Sequence, residues 1–334
     1  MVKKSSGGKN NKLLSVDYGF ATLQTVATAS VQTPELTVAE MRIDDALTVV
    51  LRQMELSGSR PRTRRSYQLD VANYVKATGA VMLSDITVDS IFVWLDSFSN
   101  VQPVTLRSRL KTLKAFLGKC NINGWLPVQF WRAVNIKVDE VEKYGAKEGD
   151  VNILLSMLDL TNFVELRDAA AILLMYKAGL RVATLVGLQE KHFDPVERCL
   201  NLSPDIMKNH KALKMPISDQ LCEVLSVLIS VNKRIRQHTK EQNSFIFISR
   251  RGTSSQSAYN HNIITQRLCV YSKRYGLQNI NPHGLRRGFA QNLLNNGASV
   301  PLISKALGHS DLAVTTKYLY LNKEEVADKL RNFV

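Results

Sequence analysis

Between residues 37 and 137 apolar side chains recur at helical spacing. Ile43, Ala46, Leu47, Val50, Leu51 and Met54 mark one face of a first helix. Ser57-Gly58-Ser59 breaks it, and a second helix begins near Pro61-Arg62-Thr63 with Tyr67, Val71, Tyr74 and Val75 on one side. Asp85-Ile86-Thr87-Val88 caps a third helix carrying Ile91, Phe92, Trp94 and Leu95. A fourth, over 105–120, buries Leu106, Leu110, Leu113, Phe116 and Leu117. Gly124, Trp125, Pro127, Phe130 and Trp131 close the unit and read as core aromatics, not as a base-stacking platform. The pattern predicts an all-helical domain over 38–135. Residues 1–37, rich in Gly, Ser, Thr, Lys and Asn with weak periodicity, predict a flexible tail. Residues 136–148 lack an apolar stripe and mix Lys137, Asp139, Glu140, Glu142, Lys143 and Lys147, the composition of an extended, exposed linker.

A second domain follows over 149–334. Helices are predicted at 150–158 and 163–178, with another starting at Arg181 after the Gly179-Leu180 stop. Residues 199–202 and 213–217 read as two short strands, and the loop between them carries Lys208, Asn209, His210 and Lys211. A long helix covers 220–235, and Phe245-Ile246-Phe247-Ile248 reads as a short apolar strand. Helices then run over 260–275, 285–295, 301–307, 314–318 and 323–332. Asn322 and Glu325 form a capping box for the last of them. The fold class is mainly α: an all-helical first domain and a mixed α/β second domain, mostly α with a small antiparallel sheet.

Charge adds a partner. The 334 residues hold 44 Lys+Arg against 29 Asp+Glu, a net +15, which points to a polyanion, nucleic acid being the commonest. Arg60, Arg62, Arg64 and Arg65 crowd the first turn of the second helix, where cations oppose the helix dipole, a local cost that a phosphate offsets. Arg107, Arg109, Lys111 and Lys114 lie on the other faces of the fourth helix. The four cysteines are scattered, without CxxC spacing, which disfavours zinc and a disulfide framework and favours a reducing compartment. No apolar run is long enough to span a bilayer, and no apolar stretch follows Lys3 and Lys4 as a secretory signal requires. A cytoplasmic, nucleoid-associated protein is expected, with no membrane partner.

The chemistry-bearing residues come in a fixed order. Ala178-Gly179-Leu180-Arg181 is followed by the hairpin lysines, then His283-Gly284-Leu285-Arg286, then Leu307-Gly308-His309, then Tyr318 nine residues further on. In that order and spacing the sequence resembles the tyrosine recombinases of the phage-integrase type, over nearly all of the second domain. The resemblance implies a two-domain C-shaped clamp on duplex DNA, with the helical domain as its core-binding part. It implies Arg181 and Arg286 as the arginines that bind the scissile phosphate, His283 and His309 as the site histidines, and Tyr318 as nucleophile. Lys208, eight residues before Pro216, is the best-placed match to the family lysine, with Lys211 and Lys214 as rivals. Tyr320 is the rival nucleophile. A two-residue shift on a helix turns the hydroxyl by about 200°, so only one of the two serves. Arg287 is assigned to backbone phosphate or to acidic side chains. One position departs from the family pattern: an acidic residue often stands three places after the first arginine, and here it is Thr184.

These residue types suit phosphoryl transfer. Attack on a phosphodiester builds charge on the non-bridging oxygens, which guanidiniums grip with paired N–H donors while staying protonated. A lysine can protonate the leaving 5′-oxygen, and imidazoles can donate to the phosphate or move protons near neutral pH. No carboxylate cluster suited to Mg²⁺ stands out, in keeping with a transesterification that needs neither metal, other cofactor nor ATP. The resemblance further implies a homotetramer on two DNA sites, exchanging strands through a Holliday junction. The apolar stripe Val326, Leu330 and Phe333 of the 323–332 segment would pack either in its own domain or on a neighbouring subunit. Two other readings carry the same residues: a non-catalytic DNA-binding protein of this fold, and DNA relaxation of the type IB topoisomerase kind.

Overall fold

The computed structural model describes residues 41–139, 143–255, 262–309, 315, 316 and 331. The tail expected over 1–37 lies outside these residues, as do the helices expected at 314–318 (apart from Thr315 and Thr316) and at 323–332 (apart from Arg331), and both tyrosines, Tyr318 and Tyr320. The chain divides after Glu140 into two compact units.

The first unit contains α1 (Ile43–Leu56), α2 (Pro61–Thr78), α3 (Val88–Asp96) and α4 (Pro103–Ile122). Ile43, Ala46, Val50 and Met54 are the buried face of α1, at the spacing the sequence announces. Pro61 and Pro103 stand in the first turns of α2 and α4, where a missing N–H leaves no bond unmade. Gly79, at φ 71°, ends α2 in the left-handed conformation that a glycine adopts without a steric penalty. Thr87 and Ser90 cap α3 reciprocally, each hydroxyl accepting the other's backbone N–H, at 3.1 and 2.8 Å. Trp94 sits edge-on to Tyr74 and Phe98 at 5.9 and 5.5 Å, and both Trp94 and Tyr74 are fully buried. Trp125, Phe130 and Trp131 join this core, as read from the sequence. Phe92 does not: α3 is only nine residues long, and Ile91, Trp94 and Leu95 use its one inward face.

The second unit runs α5 (Glu148–Ser156), α6 (Phe163–Lys177), α7 (Val182–Val186), β1 (Phe193–Asp194), β2 (Cys199–Leu202), β3 (Leu213–Pro216), α8 (Asp219–Thr239), α9 (Ile263–Tyr275), α10 (Pro282–Asn295) and α11 (Val300–Ala306). The three strands form one antiparallel sheet in the order β1-β2-β3, with Cys199 opposite Pro216 and Leu202 opposite Leu213. The hairpin expected from the sequence is present, with one two-residue strand added at its edge. Helix α6 is the axis of the unit. Every residue from Leu166 to Tyr176 is buried, the mark of a helix surrounded on all sides.

Three readings are corrected. Phe245 and Ile248 make only isolated bridges, to Gln189 and Ser254, although Ile246, Phe247 and Ile248 are fully buried. Three of the four carbonyls there accept from side chains: Asn232 Nδ2 to Ile246 at 2.7 Å, Arg167 Nη1 to Ile248 at 3.1 Å, and Arg236 to Phe245, while that of Phe247 accepts from the Ser255 N–H at 2.9 Å. Ala146, placed in the exposed linker, is 4% exposed and donates its N–H to Gly284 at 2.8 Å. Gly145 lies so close to Gly288 that an added Cβ would meet its nitrogen at 2.6 Å. Helix α10 begins at Pro282, not at 285. Asn281 Oδ1 accepts from Gly284 N–H at 2.9 Å, and that cap was legible in the Asn-Pro pair.

One buried polar knot ties α6 to α9 and to the 245–248 segment. Arg167 is 0% exposed and donates from Nε and Nη2 to Asp168 Oδ1 at 3.1 and 2.8 Å. The other carboxylate oxygen accepts from Arg267 Nε and from the Tyr271 hydroxyl, both at 2.8 Å. Burial and the Asp168 charge push the Tyr271 pKa well up, so the phenol stays a donor. Asp168→Ala strands a buried guanidinium, and full-chain urea unfolding should show a loss of about 3–5 kcal/mol. A loss below about 1 kcal/mol would mean that the carboxylate does not hold these elements together.

Candidate active site

The site is built where three chain turns meet. The chain turns at Gly179, two residues past the end of α6, where φ is 62°. A side chain there would run into the Phe289 ring on α10, so glycine is required for both conformation and space. The Gly179 carbonyl accepts from Arg286 Nη1. Arg286 is only 3% exposed, and its Nη2 donates to the Leu307 carbonyl at the end of α11. Arg181, half-buried, is the N-cap residue of α7. Its Nη1 and Nη2 lie 3.5 and 3.4 Å from the carbonyl of Gly308, the next residue after Leu307. Gly308 is left-handed as well, at φ 58°, which turns its carbonyl towards Arg181. The two guanidiniums therefore grip successive carbonyls of one turn. Carbonyl dipoles accept from their Nη donors without neutralising the charge.

His309 follows directly. Its Nε2 is 3.4 Å from Arg286 Nη2, and a guanidinium only donates, so Nε2 is the acceptor. The proton then sits on Nδ1, which donates to the Thr315 hydroxyl at 2.8 Å. Burial, and then the charges of Arg286, Arg181 and Lys208, push the His309 pKa down to about 4. His283, in the first turn of α10, is also lowered, by partial desolvation and by Arg287, Arg286, Lys143 and Arg181. Both imidazoles rest neutral in a strongly cationic pocket.

Lys208 is exposed in the β2–β3 turn, and its charge is felt at His309. Lys214 stands in β3 and pairs with Glu197 at 3.6 Å, and Lys211 is exposed in the same loop. Of the three hairpin lysines, only Lys208 is among the named causes of the His309 shift. Thus Arg181, Arg286, His309, His283 and Lys208 share one electrostatic neighbourhood, Arg287 borders it beside His283, and Tyr318 lies outside the described residues. Sequence reading passed over Thr315, although Thr315-Thr316 stands inside the motif-bearing segment, and it noted Thr184 only as a departure. Thr184 donates to the Ile206 carbonyl at 3.2 Å. With Arg181, Arg286, Met207 and Leu307 it lines a small cavity under the turn.

In the first unit several basic candidates are engaged by neighbouring groups. Arg64 donates to Ser59 O at 2.8 Å and pairs with Glu55 at 2.9 Å. Arg109 stacks over the Phe98 ring at 4.3 Å, and Lys114 donates to Asn135 Oδ1 at 3.0 Å. These three have structural partners within the unit. Arg60, Arg62, Arg65, Arg107 and Lys111 are exposed.

The low His309 pKa has a measurable consequence. An unfolded histidine titrates near pH 6.5, well above this one at about 4, so the folded chain binds the proton less readily. The stability it contributes is complete above about pH 6.5 and is lost as the pH falls towards 4. Nitrogen-detected NMR of the DNA-free protein should show His309 neutral, protonated on Nδ1, down to near pH 4, and His309→Gln should flatten the acid side of the stability profile. A midpoint near 6.5 would contradict the buried, cation-flanked setting.

Residues 147–325 match the family model described as the phage integrase family. The XerD tyrosine recombinase of Lacticaseibacillus casei is 31% identical over 179 residues, 53% of this chain and 58% of that protein. The XerD of Chlamydia trachomatis serovar D is 24% identical over 290 residues, 83% of this chain and 91% of that protein. Among solved structures, a Tn1549 transposon integrase fragment in complex with a circular intermediate DNA aligns at a TM-score of 0.68 and 15% identity, over 86% of this chain and 99% of that one. A lambda integrase tetramer bound to a Holliday junction aligns at 0.64 and 15% identity, over 84% and 78%. At that identity the structural likeness establishes the fold, mainly helical with a small antiparallel sheet. Because the family model spans more than half of its residues, the chain belongs to the phage integrase family, that of the tyrosine recombinases.

Proposed function

We propose that this protein is a site-specific DNA recombinase that cuts and rejoins DNA through a 3′-phosphotyrosine at Tyr318. The observation that carries this reading is the convergence of Arg181 and Arg286 on the adjacent carbonyls of Leu307 and Gly308, beside a neutral His309. A scissile phosphate entering there would exchange carbonyl dipoles for a full negative charge, which two guanidiniums stabilise more as the attack builds charge on its oxygens. The Tyr318 Oη–P bond forms as the P–O5′ bond breaks. The phenolic proton passes to a neutral imidazole of the His283/His309 pair, and the 5′-oxygen takes its proton from Lys208. The covalent ester conserves the energy of the broken bond, so a second 5′-hydroxyl reverses the step without ATP.

The solved neighbours in complex with a circular intermediate DNA and bound to a Holliday junction support DNA as substrate. The reading extends to four protomers on two sites, strand exchange through a Holliday junction, the 323–332 segment as a subunit contact, a core-binding role for 38–135, and a catalytic domain over 149–334. Arg60, Arg62, Arg65, Arg107, Lys111 and Arg287 serve phosphate contacts in this scheme.

A pool of nicked duplexes of randomised sequence, incubated with the protein and resolved under denaturing conditions, tests the chemistry and recovers the site. Wild type and Tyr320→Phe should yield a covalent adduct, and Tyr318→Phe none. An adduct retained by Tyr318→Phe, or absent from wild type, would sink the proposal. Arg286→Lys keeps the charge but loses the paired donors, and should slow adduct formation by about a hundredfold to a thousandfold. Recombination between two recovered sites separates this reading from simple relaxation. Arg62→Gln and Arg107→Gln should each weaken binding at every sequence alike and lower the salt slope by about 1, whereas Arg64→Gln should leave that slope unchanged.

A further inference from the structure

Thr184 stands three residues after Arg181 on α7, buried at 3% exposure, where the family pattern often has a carboxylate. Its hydroxyl donates to the Ile206 carbonyl at 3.2 Å, and a carboxylate could not make that bond, having no proton to give. Ile206 opens the turn that carries Lys208. Met207, the next residue, is buried in the cavity that Thr184 shares with Arg181 and Arg286. On its far side this turn rests on Gly308: a Cβ there would stand 3.3 Å from Met207 Cε and 3.4 Å from Asn209 Nδ2.

The root of the turn has its own anchor. Gln189 N–H donates to His192 Nδ1 at 3.0 Å, so Nε2 carries the proton and donates to Ser203 Oγ at 2.9 Å. That side-chain anchor ends at Ser203; beyond the turn's own backbone bonds, the 206–209 stretch meets Thr184 and Gly308. Lys208 itself is exposed on a flexible four-carbon stem, so the backbone beneath it decides where its ammonium dwells.

We propose that the Thr184 hydroxyl is a positioning group for the leaving-group acid, holding the 206–209 turn against Gly308 and Arg181 so that Lys208 reaches the departing 5′-oxygen. This rests on the recombinase reading above, and it assigns to a hydrogen-bond donor a position where the family often has a carboxylate. The group acts through Lys208 and touches no substrate.

A leaving-group replacement isolates that role. In a duplex whose scissile 5′-oxygen is replaced by sulfur, the P–S bond breaks as the tyrosine ester forms. The departing thiolate, whose conjugate acid has a pKa of about 8.5 and is far more acidic than an alcohol, needs no proton from the enzyme. On the duplex recovered from the randomised pool, Thr184→Val should slow adduct formation by about tenfold to a hundredfold with oxygen and run near the wild-type rate with sulfur. Lys208→Ala should show the same rescue, and Thr184→Ser should match wild type on both. Equal slowing on oxygen and sulfur, or no slowing on oxygen, overturns the positioning role. Failure of sulfur to rescue Lys208→Ala overturns the lysine as acid, and this proposal with it. Rescue of Lys208→Ala without rescue of Thr184→Val overturns the proposal alone.

A second measurement needs no DNA. The amides of Met207 and His210, which bond to Pro204 and Met207 carbonyls at 3.3 and 3.2 Å, should exchange with solvent about tenfold faster in Thr184→Val. Protection of the β2 and β3 amides should be unchanged. If valine does not fold, Thr184→Ala carries both measurements, and unchanged exchange at Met207 and His210 overturns the proposal.

Discussion

An interior guanidinium is the constraint on which the second unit turns. Arg286 is nearly inaccessible, and leaving its donors unmet there would cost several kcal/mol. It finds acceptors at two chain turns just beyond helix ends, the Gly179 carbonyl after α6 and the Leu307 carbonyl after α11. Carbonyls at such ends are the ones a helix leaves unsatisfied, and they carry the negative end of its dipole. Meeting Arg286 therefore fixes α6, α10 and α11 against one another. The requirement that makes the fold cohere also holds a cation inside the candidate site.

The glycines follow from that constraint. Gly179 must be left-handed and lack a side chain, because Phe289 occupies the place of its Cβ. Gly288 lets the Ala146 carbonyl and the Tyr176 ring close on α10, which seats that helix on α6. Gly308 aims the last carbonyl of the turn at Arg181 while leaving room for Met207. A methyl group would collide with the Phe289 ring at Gly179 and with the Ala146 carbonyl and Tyr176 ring at Gly288, and at Gly308 would strain a left-handed backbone, so tolerance in the site is set by backbone approach more than by side-chain chemistry.

Electrostatically the pocket is held ready for an anion. Its acceptors are dipoles, its imidazoles are neutral, and its arginines keep their charge. The carboxylate that could have quenched this field, Asp168, is spent on Arg167, Arg267 and Tyr271 at the opposite end of α6 from Gly179. Keeping the acid in a structural knot and the bases in the site lets one helix serve both without mutual neutralisation.

Helix spacing, the Gly-Leu-Arg, His-x-x-Arg and Gly-His steps, and the hairpin around Lys208 were all legible along the chain, because periodicity and turn chemistry are local properties. The Asn281 cap was equally local and went unread. The apolar 245–248 segment, the buried Ala146 and the exposed Phe92 were not legible, since each depends on what lies across a gap: side chains of Asn232, Arg167 and Arg236 in place of a strand partner, a carbonyl on α10, and a short helix with a single inward face. Residue order thus named the candidate groups for the chemistry, a matter of composition and spacing. Packing alone settled that two arginines far apart in the chain meet consecutive carbonyls, that His309 rests neutral between them, and that Thr184 reaches the lysine turn, because hydrogen-bond geometry and burial exist only once distant segments have come together.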